Sequence, residues 1–310
     1  NLFAPQAFDA EFLSPVGFGA LMGILKNYEA INPFVSSTTD SLNRLKPGYE
    51  APVCIVTSLG HSPAEPSRNR TILIGLVRDA KSALATRFEL RAPNPKTNTY
   101  LVLAAAYMAM LDGIKAALTA EKTPKELEAS LSKKYGEEDF YLEKDREYRS
   151  ERDVFEDFTE EERQKLFGRA PATVWENLQG FADYPEKVAA ISGEGVITPI
   201  SLESYKDSIL SQWKTELHNR IIPNYMGEVR ECVRLHGEDA TDYDIDNWLE
   251  IQRLRVHIAK NSLEAKCLLS RAAEALDNND FALASDLQIE LSQKMELLRA
   301  RYLNYKRNLF

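Results

Sequence analysis

The segment that most restricts the fold of this chain is ATRFELRAP, residues 85–93, in which charged and apolar side chains alternate. Arg87, Glu89 and Arg91 occupy every second position. Successive side chains of a β-strand point to opposite faces, so this spacing predicts a strand with three charges on one face. Such a strand needs a sheet whose other face packs against a core.

The flanking segments predict that sheet and its helices. APVCIVTSL (51–59) and TILIGLV (71–77) are β-branched and apolar, which predicts two buried strands, and GHSPAEPSRN (60–69) connects them. Apolar residues recur at helical spacing within residues 11–30. The apolar run at residues 100–111 is about half as long as a membrane span needs, so we expect a buried helix there.

Beyond about residue 119 the sequence becomes charged and helical. KDREYRSERD (144–153) carries eight charged residues in ten, which favours a solvated helix or a linker. Capping boxes begin helices at Thr123 and Thr159, and Gly168 fits the end of the second. Near the end of the chain two apolar stripes flank DNND (277–280), which predicts a long antiparallel helical hairpin.

These patterns predict an α+β fold. We expect a partial, mainly antiparallel sheet with packed helices, followed by a mostly helical C-terminal region. The changes in composition divide the chain into residues 1–120, a charged helical insertion or linker at 121–195, and a helical region at 196–310.

Composition excludes several classes of function. The net charge of −9, from 47 acidic and 38 basic residues, disfavours binding to nucleic acid or to acidic membranes. The three cysteines have neither disulfide nor zinc-site spacing, which fits a reducing cytoplasm. The start NLFAPQAFDAEF lacks both the pattern of a signal peptide and a methionine, so we expect a chain cut from something longer.

The segment RLKPGYEAP (44–52) combines fixed charges with two prolines and a glycine. Proline fixes φ and glycine permits positive φ, so the segment predicts a stiffened loop with Arg44 at its base and Glu50 near its tip. Arg70 follows in a second loop. Arginines on short strands and rigid loops need an opposite charge, and guanidinium groups match carboxylates and phosphates. The spacing alone fits an anionic ligand with a bridging divalent cation and a structural ladder of ion pairs at a sheet edge equally well.

Three ordered motifs resemble the C-terminal part of the glutamine synthetase catalytic domain. They are TTDSLNRLKPGYEAP, then NRT, then RFELRAPNPKTNTYL followed by an alanine-rich helix that ends in LDGI. The resemblance covers residues 15–120 and implies an ATP-dependent ligase that forms glutamine through γ-glutamyl phosphate. It also implies Mg²⁺ or Mn²⁺, the substrates glutamate, ammonia and ATP, and a homo-oligomeric ring.

The resemblance implies a role for each charged residue of the motifs. Glu50 would close over glutamate and help to accept a proton from ammonium, and Arg70 would stabilise the transferring phosphoryl group and the tetrahedral adduct. Arg44 would bind the carboxylate of the substrate glutamate, and Arg91 would hold substrate carboxylate or phosphate. Two further residues complete this set: Arg87 as a contact of the nucleotide phosphates, and Glu89 as a metal ligand.

The chain also departs from the family pattern. Gly75 stands where the family has a second arginine, so Arg78 is a candidate substitute. The family's E-x-E, K-P-x-x-G and H-x-H segments are not in these 310 residues, and we expect the four histidines to be surface or packing residues. This predicts a piece that is inactive by itself. A helical assembly or regulatory module, or a γ-glutamyl amine ligase of the same fold, remain as alternatives.

Overall fold

The alternating segment forms the longest strand of a small sheet. The computed structural model describes residues 1–45, 54–79 and 81–308, arranged as two units, Asn1–Lys206 and Asp207–Phe310. The strands are β1 (Thr57–Ser58), β2 (Gly60–Ser62), β3 (Glu65–Pro66), β4 (Ile74–Asp79) and β5 (Ser82–Leu90).

The helices before and around the sheet are α1 (Pro15–Lys26), α2 (Tyr28–Val35), α3 (Thr39–Asn43) and α4 (Thr99–Thr119). Later helices are α5 (Pro124–Leu131), α6 (Glu160–Phe167), α7 (Val174–Asp183), α8 (Pro185–Ile191) and α9 (Pro199–Glu216). The last ones are α10 (Ile222–Glu231), α11 (Asp242–Ala259), α12 (Leu268–Asp277) and α13 (Phe281–Asn308). The predicted α+β class is confirmed.

The main sheet has the strand order β1, β4, β5, with β1 parallel and β5 antiparallel to β4. The strand predicted at residues 51–59 is shorter in the described part of the chain. Its backbone forms other contacts before β1: the Ile55 amide donates to the Phe167 carbonyl, and the Val56 carbonyl accepts from Leu73. β2 and β3 form a hairpin inside the connection GHSPAEPSRN.

Glycines let α1 and α4 pack at backbone distance. A Cβ atom on Gly23 would lie 2.0 Å from the Ala109 carbonyl oxygen, and one on Gly113 would lie 2.1 Å from the Gly19 carbonyl oxygen. No side chain fits at those distances. The small residues of α4 therefore form its buried face.

The helix predicted at residues 100–111 forms part of α4, which is buried along one face. Within the described residues, α4 alone is long and apolar enough to cross a membrane by length and composition. Its small residues pack against α1, as in a core helix, but Tyr100, Leu103, Tyr107 and Leu118 are exposed along the other side. The periodicity of an alanine-rich segment does not distinguish one buried face from two.

The prediction of a solvated helix or linker at residues 144–153 is also wrong. The segment has irregular backbone, and its residues 147–150 extend the sheet beside β1. The Thr57 amide donates to the Tyr148 carbonyl at 2.8 Å, and the Ser150 amide donates to the Thr57 carbonyl at 2.9 Å. Tyr148 is fully buried. The charges are tolerated because each of the buried ones meets an opposite charge.

A cluster of four charges holds this segment against the helices. Lys187, only 1% exposed at its side chain, lies 3.0 Å from the Glu29 carboxylate and 2.6 Å from the Glu143 carboxylate. Arg146 pairs with Glu29 and lies 3.5 Å from Glu143. The Tyr148 hydroxyl donates to Glu143 at 2.9 Å. Two cations and two anions balance, so burial leaves no unmatched charge.

The predicted caps and turns of the helical region are confirmed. Thr123 and Thr159 form capping boxes, and Gly168 ends α6 with φ of 80°. In the second unit the turn at residues 277–280 joins α12 and α13. The first arm of the predicted hairpin is divided into α11 and α12 by residues 260–267.

We predict that Lys187→Met destabilises the first unit by about 3–5 kcal/mol, because it removes the buried cation shared by the mostly buried Glu29 and the half-buried Glu143. The free energy of unfolding in urea measures this loss. Lys144→Met is the matched control, because Lys144 lies at the same 2.6 Å from its partner Glu138 but is half exposed. The control is expected to lose no more than about 1 kcal/mol. Equal losses in both variants contradict the prediction.

Acid is expected to destabilise the first unit through Glu143. Burial would raise the pKa of this carboxyl, but the charge and hydrogen bond of Lys187, with Arg146 and Tyr148, lower the pKa below its ordinary 4.5. The ionised Glu143 carboxylate therefore makes its full contribution to the free energy of unfolding above pH 4.5. This contribution is lost as pH falls through the lowered pKa. Urea unfolding measured between about pH 6 and pH 3 tests this. Lys187→Met should weaken the acid dependence, and an unchanged slope in that variant contradicts the assignment.

Candidate functional site

The predicted alternation of β5 is confirmed, and it forms a charged face. Arg87 and Glu89 are exposed, whereas Phe88 and Leu90 are half-buried. Phe88 packs against Phe3, with ring centroids 4.9 Å apart. The period of two therefore separates the charged face of the strand from its packed face.

Strand register places Glu89 in a row with two residues of the neighbouring strands. Glu89 is opposite Gly75, and Gly75 is opposite Ser58. Register partners project to the same face of a sheet. A Cβ atom on Gly75 would lie 4.0 Å from Glu89 Oε2, so position 75 belongs to the charged face. Glycine leaves that place beside the carboxylate without a side chain.

Arg44 and Arg91 lie near one end of this face. The Arg91 amide donates to the Leu73 carbonyl at 3.0 Å, and the Arg91 side chain is half-buried. Arg44 follows α3 as its C-terminal cap, and its Nη1 donates to the Pro93 carbonyl over a long 3.5 Å. The structure thus brings Arg44 to the end of the R-x-E-x-R-x-P segment.

Arg70 lies in the loop between β3 and β4, where its side chain is exposed. It lines a cleft of about 800 Å³. The cleft is also lined by Glu151 and Asp153, which belong to the charged segment that follows α5. Glu50 lies outside the described residues. The roles that the resemblance implies for all six residues stay predictions.

Arg78 is not available to substitute for the missing arginine at position 75. Its Nη1 donates to the carbonyls of Glu11 and Phe12, both at 2.7 Å, and its Nη2 donates to the carbonyl of Phe8. Its guanidinium also lies over the Phe8 ring, 4.2 Å from the centroid. Arg78 therefore fastens the N-terminal segment to β4, and the suggestion from the sequence is corrected.

Three histidines belong to the second unit, and His61 lines the cleft that also contains Arg70. His218, His236 and His257 contact Asp277, Tyr305 and Glu290, and His61 is exposed. Among the described residues no group of three or more histidine, cysteine, aspartate or glutamate side chains could hold a metal ion. Burial raises the pKa of the Cys54 thiol to about 12, so Cys54 is not a nucleophile.

Sequence reasoning missed the residues that the charged segment contributes to the cleft. Burial alone would raise the pKa of the Glu151 carboxyl, but hydrogen bonds from Ser58, Arg149 and Gly60 lower it. This carboxylate therefore stays ionised beside the loop that carries Arg70. One sequence signal could have indicated these residues. Opposite charges alternate on both sides of the aromatic residue Tyr148, and this pattern is unusual for a solvated surface.

Comparison with known proteins gives the family. The family model described as glutamine synthetase, catalytic domain, matches residues 1–179. Glutamine synthetase of Clostridium saccharobutylicum is 40% identical over 123 residues, which are 40% of this chain and 25% of that protein. The enzyme of Escherichia coli K12 is 41% identical over 115 residues, or 37% and 22% of the two chains.

A cryo-EM structure of Plasmodium falciparum glutamine synthetase matches with a TM-score of 0.44 and 21% identity. That match covers 67% of this chain and 40% of the other. The aligned part of the chain spans about a quarter of the length of its curated relatives. Because the family model matches more than half of the residues, the chain belongs to the glutamine synthetase family.

Proposed function

We propose that this chain supplies part of the active site of an ATP-dependent glutamate–ammonia ligase. In the proposed reaction the γ-carboxylate of glutamate attacks the γ-phosphorus of ATP and ADP leaves. Ammonia then attacks the acyl carbon of γ-glutamyl phosphate, inorganic phosphate leaves, and a proton is released. The family membership and the charged face of β5 support the proposal.

The observation that carries the proposal is the placement of Glu89 between Arg87 and Arg91 on one strand face. Arg87 and Glu89 are both exposed, and no side chain at Gly75 covers the carboxylate. Phosphoryl transfer depends mostly on positioning and on neutralising negative charge. A rigid strand that presents guanidinium groups beside a carboxylate suits that task.

The resemblance to the family supplies the proposed role of each arginine, and the positions of the arginines are compatible with these roles. Arg87, toward the end of the face distant from Arg44, would contact nucleotide phosphates. Arg44 and Arg91, near the other end, would bind the carboxylate of glutamate through guanidinium forks. Arg70 would stabilise the transferring phosphoryl group and then the tetrahedral adduct. Glu50, which lies outside the described residues, would accept the ammonium proton.

The described residues do not form a complete metal site. Glu89 offers one carboxylate, which is a ligand type that Mg²⁺ and Mn²⁺ accept. Among the described residues no further histidine, cysteine or acidic side chains group with it to hold an ion. An ion bound by Glu89 would therefore need further ligands, and when bound it would neutralise phosphate charge. By the same reasoning we propose that the 310 residues alone are inactive.

This function is tested by glutamine formation. A complete catalytic domain that includes these residues is expected to form glutamine from glutamate, ATP and ammonia, and the 310-residue chain alone is expected to form none. In the complete protein Arg70→Ala should lower kcat by about 10²–10³, because it removes a group that acts on developing charge. Measuring ADP and glutamine together checks both points.

Arg68→Ala is the matched control, because Arg68 is exposed in the same loop two residues away. It should change kcat less than about twofold, as expected for an exposed side chain outside the chemistry. Glutamine formation by the 310-residue chain alone contradicts the proposed inactivity. Equal effects of the two arginine variants contradict the role of Arg70.

A second function, subunit assembly, is favoured by the surface of the second unit. This unit lies beyond the residues that the family model matches. Ile245, Leu249 and Val256 are exposed on α11 at helical spacing. An exposed apolar stripe of this kind marks an interaction surface. We propose that residues 207–310 contribute to packing in a homo-oligomeric ring.

Removal of residues 207–310 from the complete protein is expected to reduce the oligomer size without changing the chemical step. Sedimentation velocity measures the size, and single-turnover phosphate release measures the chemistry. The substitution Leu249→Lys should reproduce the change in size, because a charge in an apolar interface is costly. An unchanged oligomer in both variants contradicts an assembly role for this unit.

A further inference from the structure

The loop that carries Arg70 is fastened on both sides to the charged segment that follows α5. Directly before Arg70, Asn69 Nδ2 donates to the Arg152 carbonyl at 2.9 Å. Directly after it, the Thr71 hydroxyl oxygen accepts from the Val154 amide at 3.0 Å. The two residues that flank Arg70 therefore each bond to the segment 152–154.

Asn69 and Thr71 are also bonded to each other across Arg70. The Asn69 Oδ1 atom accepts from the Thr71 amide at 2.8 Å and from the Thr71 hydroxyl at 2.7 Å. This closes a tight turn with Arg70 at its apex. The backbone of Arg70 is thus fixed while its side chain stays exposed in the cleft.

Glu151 anchors the other end of the same connection. Its carboxylate accepts from the Leu59 amide at 3.2 Å, from the Gly60 amide at 2.9 Å and from the Ser58 hydroxyl. Arg149 Nε donates to it at 2.8 Å, and Arg149 Nη2 donates to the Gly60 carbonyl at 3.0 Å. Charge-assisted hydrogen bonds of this kind are about twice as strong as neutral ones.

A chain of hydrogen bonds joins Glu151 to the turn at Arg70. The hydroxyl oxygens of Ser58 and Ser67 lie 2.5 Å apart, and Ser67 Oγ accepts from the Asn69 amide at 3.1 Å. Ser58 is also the residue in register with Gly75 and, through it, with Glu89. Glu151 therefore connects the charged face of the sheet to the loop of Arg70.

We propose that Glu151, held by Arg149, is a positioning residue that fixes the Arg70 loop relative to the charged face of β5. This inference rests on the proposed role of Arg70. Glu151 acts through the backbone and hydroxyl groups that it binds, and it does not contact substrate. Errors of about 1 Å in the placement of a catalytic group cost up to about 10² in rate.

The test uses Glu151→Gln, which keeps the size of the side chain and removes its charge. In the 310-residue chain, amide hydrogen exchange at Leu59, Gly60 and residues 69–71 should rise by about tenfold, since the anchoring bonds weaken. In the complete protein kcat should fall by about tenfold, with KM for glutamate and for ATP changed less than about twofold. In the double variant, Glu151→Gln should lower kcat little further than Arg70→Ala alone does. The reason is that both substitutions act through the Arg70 side chain.

Glu147→Gln is the matched control. Glu147 lies in the same segment with 15% of its side chain exposed, against 20% for Glu151, but its hydrogen bonds go to Lys134 and to the Tyr135 amide. In Glu147→Gln, both the amide hydrogen exchange of the Arg70 loop and kcat should equal those of the unsubstituted protein. Should Glu151→Gln not fold, Ser58→Ala removes the hydroxyl that links Glu151 to the loop. The same rise in exchange at residues 69–71 and the same fall in kcat are expected, whereas the Leu59 and Gly60 amides stay bonded to Glu151.

The proposal is overturned by unchanged exchange in the loop, by raised exchange with unchanged kcat, or by equal effects of the Glu147 and Glu151 substitutions. A fall in stability alone, with kcat retained, indicates a merely structural role and also overturns it. If the complete protein forms no glutamine even without substitutions, the proposed function fails. The exchange measurement then still decides whether Glu151 holds the loop.

Discussion

Pairing of buried opposite charges is the interaction on which the first unit depends. Glu29 comes from α2, Lys187 from α8, and Arg146 and Glu143 from the irregular segment between α5 and α6. Hydrophobic contact alone would not hold a segment with eight charges in ten residues against a sheet. Because the charges neutralise one another, the segment reaches β1 and completes its edge.

A series of contacts connects these ion pairs to the candidate site. Once residues 147–150 lie beside β1, Arg149 and Glu151 reach the hairpin of β2 and β3. The hairpin in turn lies against the loop of Arg70. A second contact acts in parallel, because the Tyr141 hydroxyl donates to Asp112 of α4 at 2.6 Å. The segment that carries Tyr141 is thus part of the same unit as the charged face.

A structural feature of this chain can be predicted from the sequence when the residues that determine it lie close together along the chain. The alternation at Arg87 and Glu89, the caps at Thr123 and Thr159, and the turn at residues 277–280 are set by neighbours within a few positions, and all were predictable. The burial of residues 144–153 was not, because Arg146 finds Glu29 at a separation of 117 residues. Composition predicts solvation for such a segment unless the partner is known. The close glycine contacts between α1 and α4 likewise could not be predicted from the sequence, because they depend on how the two helices pack.

The wide separation of the ion-pair partners has a consequence for how the protein is made. Glu29 meets Lys187 only after 158 further residues have left the ribosome, which takes on the order of ten to thirty seconds. Until then the core around α1, α2 and α4 is incomplete, and Arg146 is the cation of the cluster that Glu29 can meet. Contacts this distant along the chain also slow folding. A nascent chain of this kind is a natural client for chaperones that shield apolar helices during translation.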